Sequence, residues 1–357
     1  LKFSPFTRKG CACLLLRILC PMTQDTSASR LEDLKKCQTL CEFVPLRAHQ
    51  IPDTAALRQY DRKETAWKDV TYASLNEQIT AWRRALAALH LERGARVAIL
   101  LNNSVDAVLA DQAVMANGMI PVPLHAIDTP GSSAFILIDS QASVLITNKA
   151  DRWSLIEKTN VPMPDLKHVI LTEESGIEEK DIHRQILSKD IWLAGGKDIQ
   201  ELPEGPKPDD LAAIVYTSGT TGRPKGVMLT HHNIVENVLA TLIHIAPAPK
   251  PGYVFLSFLP LSHTFERTAG YYLALGMGCT ITYNRSIMLL AEDLRIVKPD
   301  VLISVPRIYE KIYARINEQL GKKSALARWL FNCAVSVGWR KFCAENKLPI
   351  PKSPWQF

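Results

Sequence analysis

The amino-acid sequence predicts an α/β protein in which helices cover parallel sheets. Short apolar runs alternate with segments of helical periodicity, which is typical of βαβ units in a doubly wound sheet. The polar stretch 194–210, rich in Gly and Pro, interrupts this alternation and predicts a connector between two lobes. Hydrophobic residues make up 47% and charged residues 22% of the 357 residues, as in an ordinary globular protein.

The chain divides into four predicted regions. They are an N-terminal extension 1–37, a first lobe 38–193, the connector 194–210 and a second lobe 211–357. Residues 1–21 precede a natural start at Met22, so we expect them not to be native. Three prolines close to Phe357 indicate a chain cut in mid-protein.

The first lobe begins with helical patterns. A helix is expected over Ser29–Cys41, and Ser74-Leu-Asn-Glu77 has the form of a capping box that starts a second helix. That helix carries an apolar stripe and ends by Gly94. Further helices are predicted over Ser104–Asn117 and Ala134–Ser140. The buried strands predicted between and after them are Val97–Leu101, Ile120–Leu124, Val144–Thr147 and Val169–Thr172.

The second lobe repeats the alternation. Its first strand, Ala212–Thr217, runs into a polar loop, and Asn233 is expected to cap the following helix. Ligands of such sheets bind at the carboxyl ends of strands, where this loop begins. Later strands are predicted at Tyr253–Leu259, Thr280–Tyr283 and Val301–Val305.

That loop, Tyr-Thr-Ser-Gly-Thr-Thr-Gly-Arg-Pro-Lys-Gly at 216–226, is suited to phosphate. Residues 217–226 contain four hydroxyl side chains and three glycines, and glycines let backbone N–H groups approach an anion closely. The hydroxyls can bind phosphate or ligate Mg²⁺, and Lys225 adds a positive charge. The order differs from a Walker-type loop, because Lys225 precedes Gly226 and Val227 follows. A flexible polar turn between two strands is the alternative interpretation.

Two further clusters carry possible chemistry. In Phe258-Leu-Pro-Leu-Ser-His-Thr-Phe-Glu-Arg267, His263 could bind a carboxylate or phosphate and Phe265 could line an apolar tunnel. A solvated histidine is the alternative. Arg307 follows Pro306 at a predicted helix start, where a cation is unfavourable unless an anion lies nearby. An ordinary surface arginine is the alternative there.

Charge and cysteine usage narrow the function classes. Of the net charge of +6, residues 1–21 carry +4 and residues 321–357 carry +6, which leaves −4 for the body. This argues against a nucleic-acid-binding surface there.

The basic apolar segment 322–342 could contact a membrane surface or could be a packed helix with solvated basic ends. Eight scattered cysteines without a CxxC pair fit a reducing cytoplasm, and no apolar run is long enough to span a bilayer.

The loop and both clusters resemble the adenylate-forming (AMP-binding) superfamily. The Leu-Ser-His-Thr-Phe-Glu-Arg and Val-Pro-Arg motifs are similar to those of long-chain fatty-acid–CoA ligases, the acyl-CoA synthetases, over about residues 38–357. The resemblance implies two flavodoxin-like lobes, with the β-barrel part and the C-terminal domain absent. The family's later motifs, aromatic-Gly-x-Thr-Glu and Thr-Gly-Asp, have no counterpart after Arg307.

The resemblance also implies a reaction. ATP and a long-chain fatty acid would give an acyl-adenylate, which coenzyme A would convert to acyl-CoA. Thr217 would help to hold Mg²⁺, His263 would border the carboxylate pocket, and Arg307 would border the active cleft. The residues implied in binding the phosphates of ATP are Thr217, Ser218, Gly219, Thr220, Thr221, Gly222, Lys225 and Gly226.

Two alternative functions stay open at this stage. The first is a fatty-acyl-AMP ligase that passes the acyl group to a carrier protein. The second is a catalytically inactive, truncated chain that binds nucleotide or lipid. A cytoplasmic location, with membrane contact through 322–342, is the expectation for the enzyme.

Overall fold

A computed structural model describes residues 27–180, 184–218, 223–245 and 249–349. The described residues fall into two compact units, 27–303 and 304–349. The strands are β1 Ala55–Asp61, β2 Ala66–Thr71, β3 Arg96–Leu100, β4 Ile120–Pro123, β5 Ala142–Thr147, β6 His168–Leu171, β7 Glu178–Lys180, β8 Gln185–Ser188, β9 Leu211–Ser218, β10 Pro224–Thr230, β11 Val254–Ser257 and β12 Thr280–Tyr283.

Helices connect and cover these strands. The α-helices are α1 Ser27–Leu34, α2 Phe43–Gln50, α3 Tyr72–Ala87, α4 Val105–Ala116, α5 Pro130–Asp139, α6 Ala150–Glu157, α7 Lys189–Gly195, α8 His231–His244, α9 Leu273–Met277, α10 Leu290–Val297, α11 Pro306–Gly321 and α12 Ala325–Glu345. Short 3₁₀ turns span Leu40–Glu42 and Ile287–Leu289, and a π-helix spans Glu266–Tyr272.

A six-stranded sheet in the order β4-β3-β5-β6-β8-β7 forms the centre of the first half of the larger unit. All its pairings are parallel except that of β7 with β8. Both faces are buried, since Val144 and Ile146 of β5 pack into one apolar cluster and Leu145 into another. Successive strand residues point to opposite faces, so this division marks a sheet covered on both sides. The predicted α/β class is confirmed.

A second sheet joins distant parts of the chain. Its order is β11-β12-β1-β2, with β12 parallel to both β11 and β1, and β1 antiparallel to β2. Strand pairing therefore crosses the stretch 194–210, because β1 precedes it and β12 follows it. The four predicted regions of the chain, with their boundaries, remain a prediction.

A third, two-stranded sheet carries the polar loop. Strands β9 and β10 form an antiparallel hairpin, and β9 runs beside β4 of the six-stranded sheet. The sequence predicted a helical segment soon after the loop, whereas β10 comes first and α8 begins only at His231. The side chain of Thr230 caps α8 by accepting from the N–H of Asn233. Asn233 therefore lies at the third position of the helix, with Thr230 as the cap.

Three local expectations differ from the structure for identifiable reasons. The helix expected to extend to Cys41 ends at Leu34. A new turn then begins at Thr39, whose backbone N–H and hydroxyl both donate to the Glu42 carboxylate. Helix α3 begins before Ser74, because Thr71 caps it. Of the strand predicted after residue 300, only Val301 pairs, in a single bridge to Phe255.

The smaller unit contains α11 and α12, which contact each other. Pro306 occupies the first turn of α11 as predicted, where its missing N–H removes no helical hydrogen bond. Within the residues that the structure describes, no helix combines the length and the apolar character needed to cross a bilayer.

Candidate active site

The β9–β10 hairpin places two of the predicted phosphate-binding groups together. Thr217 and Lys225 are direct partners in the hairpin register, and both side chains are exposed. Directly opposed residues of an antiparallel pair project from the same face, so the hydroxyl and the ammonium can reach one ligand. Gly219, Thr220, Thr221 and Gly222, the tip of the loop, lie outside the described residues.

Contacts on the other face of the hairpin explain why a glycine, Gly226, follows Lys225. Tyr216 lies opposite Gly226, and a Cβ added at Gly226 would come within 3.1 Å of the Tyr216 ring and 2.9 Å of Ile214. The Tyr216 hydroxyl donates to Asp139 of α5 at 2.6 Å. Burial and the Asp139 carboxylate raise the pKa of Tyr216, so the hydroxyl stays protonated and keeps donating. This bond fixes which face of the hairpin presents Thr217 and Lys225.

His263 lies in the loop between β11 and the π-helix, and its side chain is exposed. Its ring centroid is 5.2 Å from that of His125, which follows β4. His125 Nδ1 lies 3.0 Å from the Ser262 hydroxyl, and burial lowers the pKa of His125. The sequence did not predict His125 as a site residue, because a histidine after a strand has no pattern of its own. Phe265 is 39% exposed.

Glu266, three residues after His263, is a buried carboxyl group. Its Oε1 accepts from the Ser257 hydroxyl at 2.7 Å, and its side chain fills the space above Gly270. Burial raises the pKa of Glu266 to about 8, although the bond from Ser257 opposes this rise. Glu266 also opens the π-helix, a feature that often marks functional sites. At neutral pH this group is therefore a neutral acid in the protein interior.

Arg267, beside it, forms a buried ion pair. It donates to Asp111 Oδ1 at 2.6 Å, and Asp111 Oδ2 accepts from the hydroxyls of Tyr271 and Tyr272. Burial lowers the pKa of Arg267, but the charge and hydrogen bond of Asp111, together with Tyr272 and Tyr271, outweigh burial and raise it. The sequence placed Glu-Arg inside the His263 motif without predicting that both side chains would be buried. Arg267 meets its partner Asp111 on α4, which comes from a distant part of the chain.

Arg307 occupies the first turn of α11 and is exposed. It belongs to the smaller unit, whereas Thr217, Lys225 and His263 belong to the larger one. The predicted site residues therefore separate into the hairpin group, the His263 loop and Arg307.

The residues present fit ATP phosphates better than a metal bound by protein alone. In the described part of the chain no group of three or more His, Cys, Asp or Glu side chains could hold a metal ion. Protein-bound Mg²⁺ usually keeps several waters and shares its ligands with substrate phosphates. A single threonine hydroxyl at Thr217 beside Lys225 fits that mode of binding.

Comparison with known proteins decides the family. Residues 45–342 match the family model described as AMP-binding enzyme. The chain belongs to the AMP-binding enzyme family. Long-chain-fatty-acid–CoA ligase 5 of Rattus norvegicus is 31% identical over 313 residues, which is 81% of this chain and 44% of that protein. The peroxisomal long chain acyl-CoA synthetase 6 of Arabidopsis thaliana is 32% identical over 284 residues, 76% of this chain and 39% of that protein.

This AMP-binding chain thus spans less than half the length of these relatives. Solved structures agree on the fold. The adenylation domain of a carboxylate reductase from Mycobacterium chelonae matches with a TM-score of 0.70 and 22% identity over 89% of this chain and 55% of that chain. The N-terminal domain of FACL13 from Mycobacterium tuberculosis matches with a TM-score of 0.60 and 22% identity over 72% of this chain and 60% of that chain. The predicted resemblance is confirmed at the level of family and fold.

Proposed function

We propose that this AMP-binding protein takes part in the ATP-dependent activation of long-chain fatty acids to acyl-CoA through an acyl-adenylate. The observation that carries the proposal is the hairpin, which presents Thr217 and Lys225 on one exposed face beside a glycine-rich tip. The substrate class comes from the relatives, which are named long-chain acyl-CoA ligases and synthetases.

In this proposal the hairpin binds the phosphates of ATP. The Thr217 hydroxyl would be an oxygen ligand for Mg²⁺, and the Lys225 ammonium would neutralise phosphate charge. The backbone N–H groups from Ser218 to Gly222 and the hydroxyls of Thr220 and Thr221 would bind the β- and γ-phosphates. Gly226 leaves room for Tyr216. Fixed positive groups around a reacting phosphate stabilise the charge that develops there.

The His263 loop binds the fatty-acid substrate. His263 and its neighbour His125 border the fatty-acid carboxylate, which attacks the α-phosphorus and displaces pyrophosphate. Coenzyme A then takes the acyl group as a thioester, and AMP leaves.

The first test is binding of Mg-ATP to the 357-residue chain, measured by calorimetry. We expect Lys225→Ala to weaken binding about tenfold, because one charge-assisted hydrogen bond is worth about 1.5–3 kcal/mol. Lys158→Ala is the matched control, since Lys158 is also exposed but ends α6. Binding that both variants weaken equally, or absence of binding by the unchanged chain, would contradict the phosphate role.

The second test concerns chemistry and the acceptor. We expect ATP–pyrophosphate exchange that depends on palmitate, and formation of palmitoyl-CoA when CoA is added. Exchange without transfer to CoA, but with transfer to an acyl-carrier protein, would favour the alternative of a fatty-acyl-AMP ligase. ATP binding without any exchange would favour the inactive nucleotide-binding chain.

A further inference from the structure

The loop that bears His263 is closed at its base. Ser257 ends β11, and Glu266 begins the π-helix. The Ser257 hydroxyl donates to Glu266 Oε1 at 2.7 Å, and both residues are buried. Within the loop the His263 carbonyl accepts from the N–H of Arg267 at 3.1 Å. The two ends of the loop are therefore tied to each other in the protein interior.

Asn103, which lies outside this loop, forms hydrogen bonds to it. Asn103 lies between β3 and α4, at the carboxyl end of the six-stranded sheet. Its Nδ2 donates to the Leu259 carbonyl at 2.6 Å and to the Ser257 hydroxyl at 3.0 Å. Its Oδ1 accepts from the N–H of Leu261 at 3.0 Å. One amide thus makes three hydrogen bonds to three residues before His263, and bonds at both ends of an amide fix its orientation.

We infer that Asn103 is a positioning residue for His263. The inference rests on the proposed function, in which His263 borders the fatty-acid carboxylate. The His263 side chain is exposed, so the placement of its ring depends on the backbone that leads to it. Asn103 fixes that backbone against β3, a strand of the larger sheet. A displacement of about 1 Å at a reacting group can reduce a rate about 100-fold, so this contact sets the catalytic geometry.

Three variants separate positioning from general stability. Asn103→Ala removes all three hydrogen bonds. Asn103→Asp retains an acceptor for the Leu261 N–H but loses both donations, and it serves as the second variant if the alanine protein does not fold. Asn102→Ala is the matched control, because Asn102 is the preceding residue of the same loop and is exposed.

The readout is the imidazole of His263 itself. Histidine-selective ¹³C labelling of the 357-residue chain gives its ring signal, assigned by its loss in His263→Gln. We expect a changed chemical shift in both Asn103 variants, and signals that coincide with the unchanged protein in Asn102→Ala. An unchanged His263 signal in a folded Asn103 variant would overturn the inference, as would an equal change in the control.

Enzyme kinetics give a second test of the positioning role, independent of the His263 signal. In palmitate-dependent exchange we expect Asn103→Asp to lower kcat at least tenfold and to leave KM for ATP within about twofold, because the phosphate-binding hairpin makes no bond to Asn103 in the described residues. Equal kcat values for Asn103→Asp and the unchanged protein would overturn the inference. If the unchanged protein shows no exchange, the proposed function fails, and the His263 signal still decides the positioning role.

Discussion

Glu266 shows how burial changes the chemistry of a single side chain. Its pKa is raised from 4.5 to about 8 by burial. The groups around it include the Ser257 hydroxyl and Gly270, and Tyr283 interacts with it electrostatically. Its second oxygen, Oε2, has no hydrogen-bond partner among the described residues, which fits a neutral acid in an apolar setting.

This burial predicts how stability depends on pH. The folded pKa of Glu266 lies above the unfolded value, so below pH 4.5 both states hold the proton and the contribution is fully present. As pH rises towards 8 only the folded state keeps the proton, and the free energy of unfolding falls by up to about 1.4 kcal/mol per pH unit. Glu266→Gln keeps an acceptor for Ser257 but does not titrate. We expect the variant to lack this fall.

Urea unfolding at several pH values between 5 and 8 tests this expectation. Glu92→Gln, at an exposed position, is the control and should follow the unchanged protein. Parallel profiles for Glu266→Gln and the unchanged protein would show that Glu266 is ionised in the folded state.

Helix α12 decides between two interpretations of residues 322–342. Leu326 and Val335 are both exposed, as are Leu330 and Trp339. The members of each pair are nine residues apart in a helix with about 3.6 residues per turn, so they project from opposite sides. A helix that lies on a membrane has one apolar face, whereas a helix that is apolar on two sides packs between other elements. The structure therefore favours protein packing over membrane contact.

Vesicle binding tests this interpretation. We expect the chain to sediment equally little with phosphatidylcholine vesicles and with vesicles that also contain phosphatidylglycerol. Trp329→Ala should change neither result. Salt-sensitive binding to the anionic vesicles that Trp329→Ala reduces would instead support a membrane-contacting helix.

The elements differ in how well their sequences predict them. Strands β3 to β6 were predicted within two residues at each end, because continuous apolar runs leave little choice for a buried parallel strand. Strands β2 and β10 were not predicted, because none of their residues is buried and neither run is continuously apolar. The sequence motif alone identified Thr217 and Lys225 as candidate site residues. Asn103, His125 and Glu266 could be identified only from contacts between distant parts of the chain.

The buried Asp111–Arg267 pair links two layers of the larger unit. Asp111 belongs to α4, which follows a strand of the six-stranded sheet, and Arg267 belongs to the π-helix, which leads towards β12 of the four-stranded sheet. Removing one partner of a buried pair leaves a charge without compensation, at a cost of about 3–5 kcal/mol. We expect Arg267→Met to lower the free energy of unfolding by this amount.

A double variant separates charge from packing. Arg267→Met with Asp111→Asn removes both charges and leaves an acceptor for the tyrosine hydroxyls, so it should be more stable than Arg267→Met alone. Arg58→Met is the control, since its partner Asp69 is exposed and such pairs contribute about 1 kcal/mol or less. Urea unfolding of the unchanged protein and the three variants measures these differences in stability. A double variant less stable than Arg267→Met would contradict this account.

The pairing of β1 with β12 has a consequence for synthesis of the protein. The Thr280 hydroxyl donates to the Ala55 carbonyl across 225 residues of sequence. A ribosome adds about 5–20 residues per second, so roughly 10–45 s pass after Ala55 is made before Thr280 follows. Through that interval β1 has only β2 as a partner, and a two-stranded hairpin alone is marginally stable in water. The four-stranded sheet is therefore completed only after the six strands of the other sheet have left the ribosome's active centre.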